Sequence, residues 1–456
     1  MPPAWRSALL SCLLGLGLVA QAQQPVPAPP AGEPAASQPL PAAPPVSASG
    51  QRVYEQARTR LLQVRTLLRG QDSQSSVGSG FLVTGQGHLI TNYHVVSQFA
   101  LQPSRFRLVY VTSDGQQGAL ELLAIDVVHD LALLRPAEPA ALVGRGALAL
   151  RGDDAPMQRG ERIFAMGNPL DVGFALLEGS YNGLVERAYL PTIFFGGSLS
   201  PGMSGGPALD TAARVIGINV ASRRDGEQVS FLVPVRHAAA LLERGRAAAA
   251  LTKPLHDQIA SQLLAHQEAL AARFLAEPWR SAGHARYLIP VPQENFMRCW
   301  GQSNADAGRG LQFERSDCTM DSRVFVSGEL LTGFLHVRHE AYDGERLGQL
   351  RFAQRFAASF GNENFGFKSR WLTAPQCHER FVDRQGLPLR AVLCLQQHKK
   401  LDGLYDLQLL VATLDGRTVG AQGRFDARGF SFDNTLRLAD HYLQGFAWTE
   451  AANASR

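Results

Sequence analysis

The chain predicts a mainly β protein: a first β domain of sandwich or barrel type, then a helix, then a second, β-rich (α+β) domain. Three observations predict it. From Val77 to about Val235, short apolar runs such as GFLV, HLIT, RLVYV, LALL, RIFAMG, VIGINVA and SFLVPV are broken by Gly, Pro and Asp, the pattern of many short strands with tight turns rather than of βα units. Between Leu251 and Glu277, Ile259, Leu263, Leu264, Leu270 and Leu275 fall at helical spacing instead. Beyond Pro278 strand-like runs return, among them RYLIPV, RVFVSG, FLHVRH, RAVLCL and LYDLQLLVATL. A length of 456 residues also exceeds what one core organises, so two domains are expected.

Taken in order, the chain opens with Arg6 before a 13-residue apolar run, Ala8 to Ala20, ending in Ala20-Gln21-Ala22. A basic start, a short greasy middle and a small-x-small end predict a secretory signal over residues 1–22, cleaved after Ala22 and too short to span a bilayer comfortably. Leu10-Ser11-Cys12 hints at a lipid-attachment site, but the apolar run lies mostly after Cys12, which argues against lipidation. Residues 23–50 hold nine Pro in 28 positions and one charge, Glu33, a composition that builds no core and predicts an extended tether. A short helix is expected over Gln51–Arg60. A first strand follows over Leu61–Leu68, where Leu62, Val64, Thr66 and Leu68 alternate. His237–Ala250, rich in Ala and Leu, closes the region as a helix. The expected domains are therefore 51–250, a helical connector at 251–280, and 281–456. No internal repeat of fixed period is visible.

Three segments carry the chemistry. Ser79-Gly80-Phe81-Leu82-Val83, a turn at Gly85–Gly87, and Thr91-Asn92-Tyr93-His94-Val95-Val96 deliver His94 from a strand into a short helical turn. In Asp126-Val127-Val128-His129-Asp130-Leu131-Ala132-Leu133-Leu134, Asp130 heads an apolar strand and so enters a buried setting. Pro201-Gly202-Met203-Ser204-Gly205-Gly206-Pro207 is a Gly-rich turn carrying one serine. Peptide hydrolysis needs these residue types. A serine hydroxyl is a poor nucleophile, so an imidazole must take its proton and return it to the leaving amine. A buried carboxylate fixes the tautomer of that imidazole and stabilises the imidazolium. Glycines around the serine let the amides of Gly202 and Ser204 converge on the developing oxyanion. Singly, each residue reads as structural; the ordered set of His94, Asp130 and Ser204 reads as a catalytic triad.

Over residues 61–240 the chain resembles the trypsin-like serine peptidases of bacteria, most closely the HtrA (high-temperature-requirement) family. The TN-x-HVV, D-L-A-L-L and PG-x-SGGP elements stand in that family's order, with 36 residues from His94 to Asp130 and 74 from Asp130 to Ser204. Met166-Gly167-Asn168-Pro169, Val215-Ile216-Gly217-Ile218-Asn219 and Val229-Ser230-Phe231-Leu232-Val233-Pro234 match as well. The resemblance implies two six-stranded β barrels with the triad in the cleft between them. It implies substrates that are extended or unfolded polypeptide segments, and no metal or organic cofactor. It also implies a primary specificity pocket lined by Ser198, Ala221, Ser222 and Val229; none is acidic, so apolar residues are expected before the scissile bond. Gly202-Met203-Ser204-Gly205-Gly206 also fits the G-x-S-x-G of α/β hydrolases, but Pro207 and a strand follow where that fold needs a helix, and His237 comes too soon.

The sequence departs from the family at three places. Met203 replaces a polar residue before the serine and cannot pair with a freshly cut N-terminal amine, which argues against activation by N-terminal cleavage. Val220 stands where relatives carry a hydroxyl that bonds the triad aspartate, so Asp130 is expected to be less well satisfied. Phe195-Gly196-Gly197 replaces a polar approach to the serine turn. The C-terminal half shows no PDZ-like order of elements. With Cys12 removed, its four cysteines suit an oxidising compartment; paired as Cys299–Cys318 and Cys377–Cys394 they would close loops of about 20 residues, and four free buried thiols are the other reading. His336-Val337-Arg338-His339-Glu340 has the wrong order for a zinc motif. With 44 Lys+Arg against 40 Asp+Glu and no basic run, the balance makes no case for nucleic acid or an anionic membrane. The expectation is an exported, periplasmic or secreted serine endopeptidase. The alternative is a binding or scaffold protein on a weakened peptidase domain, with the C-terminal domain as its working part.

Overall fold

The computed structural model describes residues 47–152, 156–222, 229–284, 286–304, 310–361, 369–450 and 452, without the side chains of Ala221 and Ser222. The expected signal at 1–22 and nearly all of the tether lie outside the described residues. Helix α1 (Ala48–Ala57) begins three residues earlier than expected, because Ser47 caps it: its side chain accepts from Gly50 N at 3.0 Å. A 3₁₀ turn, Arg58–Arg60, then feeds the first barrel.

The first barrel comprises β1 (Leu61–Leu68), β2 (Gln74–Leu82), β3 (Leu89–Thr91), β4 (Phe106–Thr112), β5 (Gln117–Asp126) and β6 (Leu131–Pro136), with α2 (Tyr93–Leu101) between β3 and β4. Its strand order is β1-β2-β3-β6-β5-β4, closed by β1 against β4. The second contains β7 (Arg162–Gly167), β8 (Ala175–Leu184), β9 (Ile193–Gly196), β10 (Pro207–Leu209), β11 (Val215–Ser222) and β12 (Ser230–Pro234). Closed by β10 against β7, it repeats the same antiparallel order, β7-β8-β9-β12-β11-β10. The two barrels thus share one topology, although the sequence shows no repeat. Helix α3 (Val235–Gly245) then seats Val235, Ala238 and Leu241 in a core that also holds Leu131, Leu133 and Ile218.

The expected connector is a shared wall. Leu251 N bonds Leu122 O at 2.7 Å and Leu255 N bonds Ala100 O at 2.9 Å, so the chain stays on the first barrel. Helix α4 (His256–Ala276) buries Ile259 and Leu263 in the first barrel's core, and Leu270 and Phe274 in the core of the C-terminal half.

The C-terminal half is β-rich. A three-stranded sheet holds β13 (Arg280–His284) and β14 (Tyr287–Val291), and near the end of the chain β24 (Ala447–Trp448) joins it. The main sheet consists of β15 (Met297–Ser303), β16 (Gln312–Met320), β19 (Phe334–Asp343), β20 (Gln376–Arg384), β21 (Leu387–Gln397), β22 (Tyr405–Thr413) and β23 (Val419–Phe430), ordered β15-β16-β19-β23-β22-β21-β20. A small hairpin, β17 (Val324–Ser327) with β18 (Leu330–Thr332), stands apart from it. Two helices, α5 (Gln349–Gly361) and α6 (Phe432–Gln444), give this half its expected α+β character, although the sequence reading placed no helix at either position and Phe352, Phe356 and Phe360 recur at helical spacing. Both cysteine pairs form disulfides, Cys299–Cys318 across β15 and β16 and Cys377–Cys394 across β20 and β21.

His336 and His339, three apart on one strand, point to opposite faces. The first bonds Asp426 at 3.0 Å and Asp317 at 3.1 Å, while the second is buried against Tyr442. Among the described residues no cluster of three or more His, Cys, Asp or Glu could hold a metal, and no helix is long and apolar enough to cross a membrane.

Candidate active site

His94 lies on the first turn of α2 and Asp130 in the turn before β6, so both come from the first barrel. The ring Nδ1 of His94 meets Asp130 Oδ2 at 2.6 Å, and its backbone amide donates to Asp130 Oδ1 at 2.8 Å. Asp130 adopts φ 55°, a left-handed conformation that Asp tolerates better than most residues, and its carbonyl accepts from Tyr93 N at 3.0 Å and Asn92 Nδ2 at 2.8 Å. Both carboxylate oxygens are therefore bonded by His94, with no hydroxyl from position 220 added to them. The other carboxylate of this segment, Asp126, is taken by His129, whose N and Nδ1 lie 3.1 and 3.0 Å away.

Burial of the His94 ring by itself lowers its pKa. The charge of Asp130 and the bond to it raise the pKa by more, and the net is a value above the ordinary 6.5.

Ser204 sits in the turn between β9 and β10 of the second barrel. Two glycines make that turn possible. Gly202 has φ +93°, and a Cβ there would fall 2.4 Å from Asn168 O; Gly205 has φ +84°, and a Cβ would fall 2.2 Å from Ser79 O. The amides of Gly202 and Ser204 have no hydrogen-bond acceptor among the described residues, whereas Met203 N bonds Ser200 O at 3.1 Å and Gly205 N bonds Asn219 O at 2.9 Å. Met203 itself is fully buried in the second barrel's core with Phe195, Leu199 and Ala208.

The barrels are stitched together at this turn by residues the sequence reading gave no role. Ser79 N donates to Ser204 O at 2.7 Å, Ser79 Oγ donates to Gly202 O at 2.7 Å, and Asn168 N donates to Ser79 Oγ at 2.9 Å. The available signal was a polar residue inside the otherwise apolar end of β2. Asn219 Nδ2 adds a bond to Met166 O at 2.9 Å.

The serine hydroxyl is turned away from the imidazole. Ser204 Oγ donates to Val220 O at 3.0 Å, and among the described residues no hydrogen bond joins it to His94. Among the described residues the edge of β11 facing Ser204 has no strand partner from Val220 onward, because the pairing with β10 runs only from Val215 to Ile218. Of the expected specificity residues, Ser198 is exposed after β9, and Val229 lines an open recess of about 610 Å³ with Phe194 and Phe231. The side chains of Ala221 and Ser222 lie outside the described residues.

Residues 78–218 match the trypsin-like peptidase domain family. Among curated relatives, the probable periplasmic serine endoprotease DegP-like of Ectopseudomonas mendocina is 28% identical over 191 residues, 40% of this chain and 38% of that protein. Serine protease Do-like HtrA of Bacillus subtilis is 29% identical over 181 residues, 36% of this chain and 38% of that one. The chain thus spans about two fifths of the length of these relatives. A solved serine endoprotease from Yersinia pestis aligns at 21% identity with a TM-score of 0.37, over 44% of this chain and 67% of that chain.

Proposed function

We propose, from the premise that residues 78–218 form a trypsin-like peptidase domain of HtrA/DegP kinship, that the protein is an exported serine endopeptidase acting through His94, Asp130 and Ser204. The observation that carries the reading is the His94–Asp130 pair, bonded through both carboxylate oxygens and placed next to a glycine turn that presents Ser204. In the first step Ser204 Oγ rotates off Val220 O, gives its proton to His94 Nε2 and attacks the scissile carbonyl carbon. The C=O bond opens to an oxyanion, which the amides of Gly202 and Ser204 receive. Collapse breaks the C–N bond, the imidazolium hands its proton to the leaving amine, and an acyl-enzyme remains. Water repeats the sequence in reverse roles. Asp130 keeps the proton on Nδ1 and balances the imidazolium charge.

The open edge of β11 beside Ser204 supports a substrate bound as an added strand, which favours extended or unfolded polypeptide segments. With no acid among the expected pocket residues Ser198, Ala221, Ser222 and Val229, apolar side chains such as Val, Ala or Leu precede the cut. A periplasmic or secreted location rests on the expected signal and on the periplasmic relative. One observation favours the alternative of a scaffold on a weakened peptidase domain: the hydroxyl of Ser204 is bonded to Val220 O and not to His94.

A fluorophosphonate probe separates the two. The full chain should label at Ser204, and Ser204→Ala should lose both labelling and casein cleavage, since removing the nucleophile costs about 10⁶ in turnover. A Ser204→Ala variant retaining a tenth of the activity ends the assignment, and a wild type that never labels supports the scaffold.

A further inference from the structure

We propose that the C-terminal half builds one wall of the substrate cleft, and that Arg323 selects peptides with an acidic side chain a few residues before the cut bond. The inference rests on the catalytic reading above and adds the substrate class. Its basis is a contact that crosses the molecule. Residues 321–325 lead into the β17–β18 hairpin, and Phe325 stands edge-on to the His94 ring with centroids 6.0 Å apart. The helix bearing His94 holds this hairpin in place: Tyr93 Oη donates to Val326 O at 3.0 Å, and Val324 and Val326 are buried in one core with Val95 and Val96. The C-terminal half therefore meets the candidate site at its histidine.

Beside that contact a cavity of about 500 Å³ is shared by the two halves. The first half lines it with apolar side chains, among them Leu190, Pro191 and Val220, together with Asp130; the C-terminal half lines it with Arg298, Asp321 and Arg323. Val220 links the cavity to the nucleophile, since it lines the cavity while its carbonyl accepts the Ser204 hydroxyl. Of the two arginines only one has an acidic partner among the described residues. Arg298 is paired with Asp321 at 2.7 Å. Arg323, exposed, lies over the Phe334 ring at 4.8 Å and has no carboxylate within ion-pair distance among the described residues. A guanidinium steadied by a ring face keeps its in-plane N–H groups for another partner. Arg187, also without an ion pair among the described residues, lines the adjoining recess with Arg298 and with the Arg159–Glu186 pair, 2.8 Å apart. An extended peptide that reaches this cavity from β11 thus meets apolar side chains and the Arg323 guanidinium, and a Glu or Asp on it matches that guanidinium in charge.

The test uses the full chain and three internally quenched peptides with one common apolar residue before the cut, and with Glu, Gln or Lys at the second to fourth positions upstream. Wild type should cut the Glu peptide with kcat/KM about tenfold above the Lys peptide, mostly through KM, as expected for remote binding by one exposed charge. The ratio should shrink in about 0.5 M salt. Arg323→Gln should level the three peptides and Arg323→Glu should invert the order. Fluorophosphonate labelling of the wild type reports the catalytic reading separately. A wild type that labels and cuts, yet shows the same Glu-to-Lys ratio as Arg323→Glu, overturns this inference alone. One that neither labels nor cuts overturns the catalytic reading and this inference with it.

Discussion

In the proposed mechanism His94 must be neutral to accept the serine proton, so the pH dependence of cleavage would read its environment directly. Asp130 raises the pKa of His94 above the ordinary 6.5 against the opposing effect of burial. The acid limb of kcat/KM should therefore have its midpoint above pH 6.5, with activity rising as His94 deprotonates. Asp130→Asn removes the charge and leaves burial as the main influence, so the limb should move to lower pH while turnover falls about 10⁴-fold through the wrong tautomer. Peptide cleavage measured from pH 5 to 9 in both forms checks this; a limb that stays in place on substitution separates Asp130 from His94. His94, Asp130 and Ser204 could be singled out from sequence because each sits in a short motif of its own. The rotamer of Ser204 could not, because it depends on which carbonyl lies within reach. Neither could Phe325, which reaches His94 only through pairing and packing set far along the chain.

Among elements, the outermost strands of the seven-stranded sheet stand out. One disulfide ties edge strand β15 to β16 and the other ties edge strand β20 to β21, so each covalent link fastens a strand that has a neighbour on one side only. Edge strands fray first, having half the ladder of an inner strand. Removing one bridge by the paired change Cys299→Ser with Cys318→Ser should cost about 3 kcal/mol in the chain-entropy model for a loop of this size. Urea unfolding measures the loss, and amide exchange should quicken first in β15; an unchanged midpoint refutes the argument. The cysteine positions were readable because four remain in one half at two short separations. The order of the main sheet was not, since its neighbours β16 and β19, or β19 and β23, are paired across intervening elements. Helix α5 was hidden by the opposite error: its phenylalanines at every fourth place carry a helical period inside a stretch that otherwise reads as strands.

At the scale of the whole molecule the first barrel shares its interior with the C-terminal half. The first barrel's core, with Leu62, Val64 and Leu134, also contains Ile259, Leu263, Val324, Trp371, Leu401 and Leu404. Length alone suggests that residues 51–250 could stand by themselves, yet this packing removes the basis for it. Each such buried side chain contributes about 1.5–3 kcal/mol, and a domain's net stability is about 5–15 kcal/mol, so losing even a few is severe. A chain of residues 47–250 should melt far below the full protein or aggregate, and should label poorly with fluorophosphonate; thermal melting and labelling of both forms decide it. An independent first half would melt and label like the whole. The shared interior also orders events in time. Translation delivers His94, Asp130 and Ser204 early, but the wall that backs the histidine's helix is complete only when Leu404 has been made. The candidate site is thus written first and closed last, and a nascent chain carries its three residues without yet holding them in place.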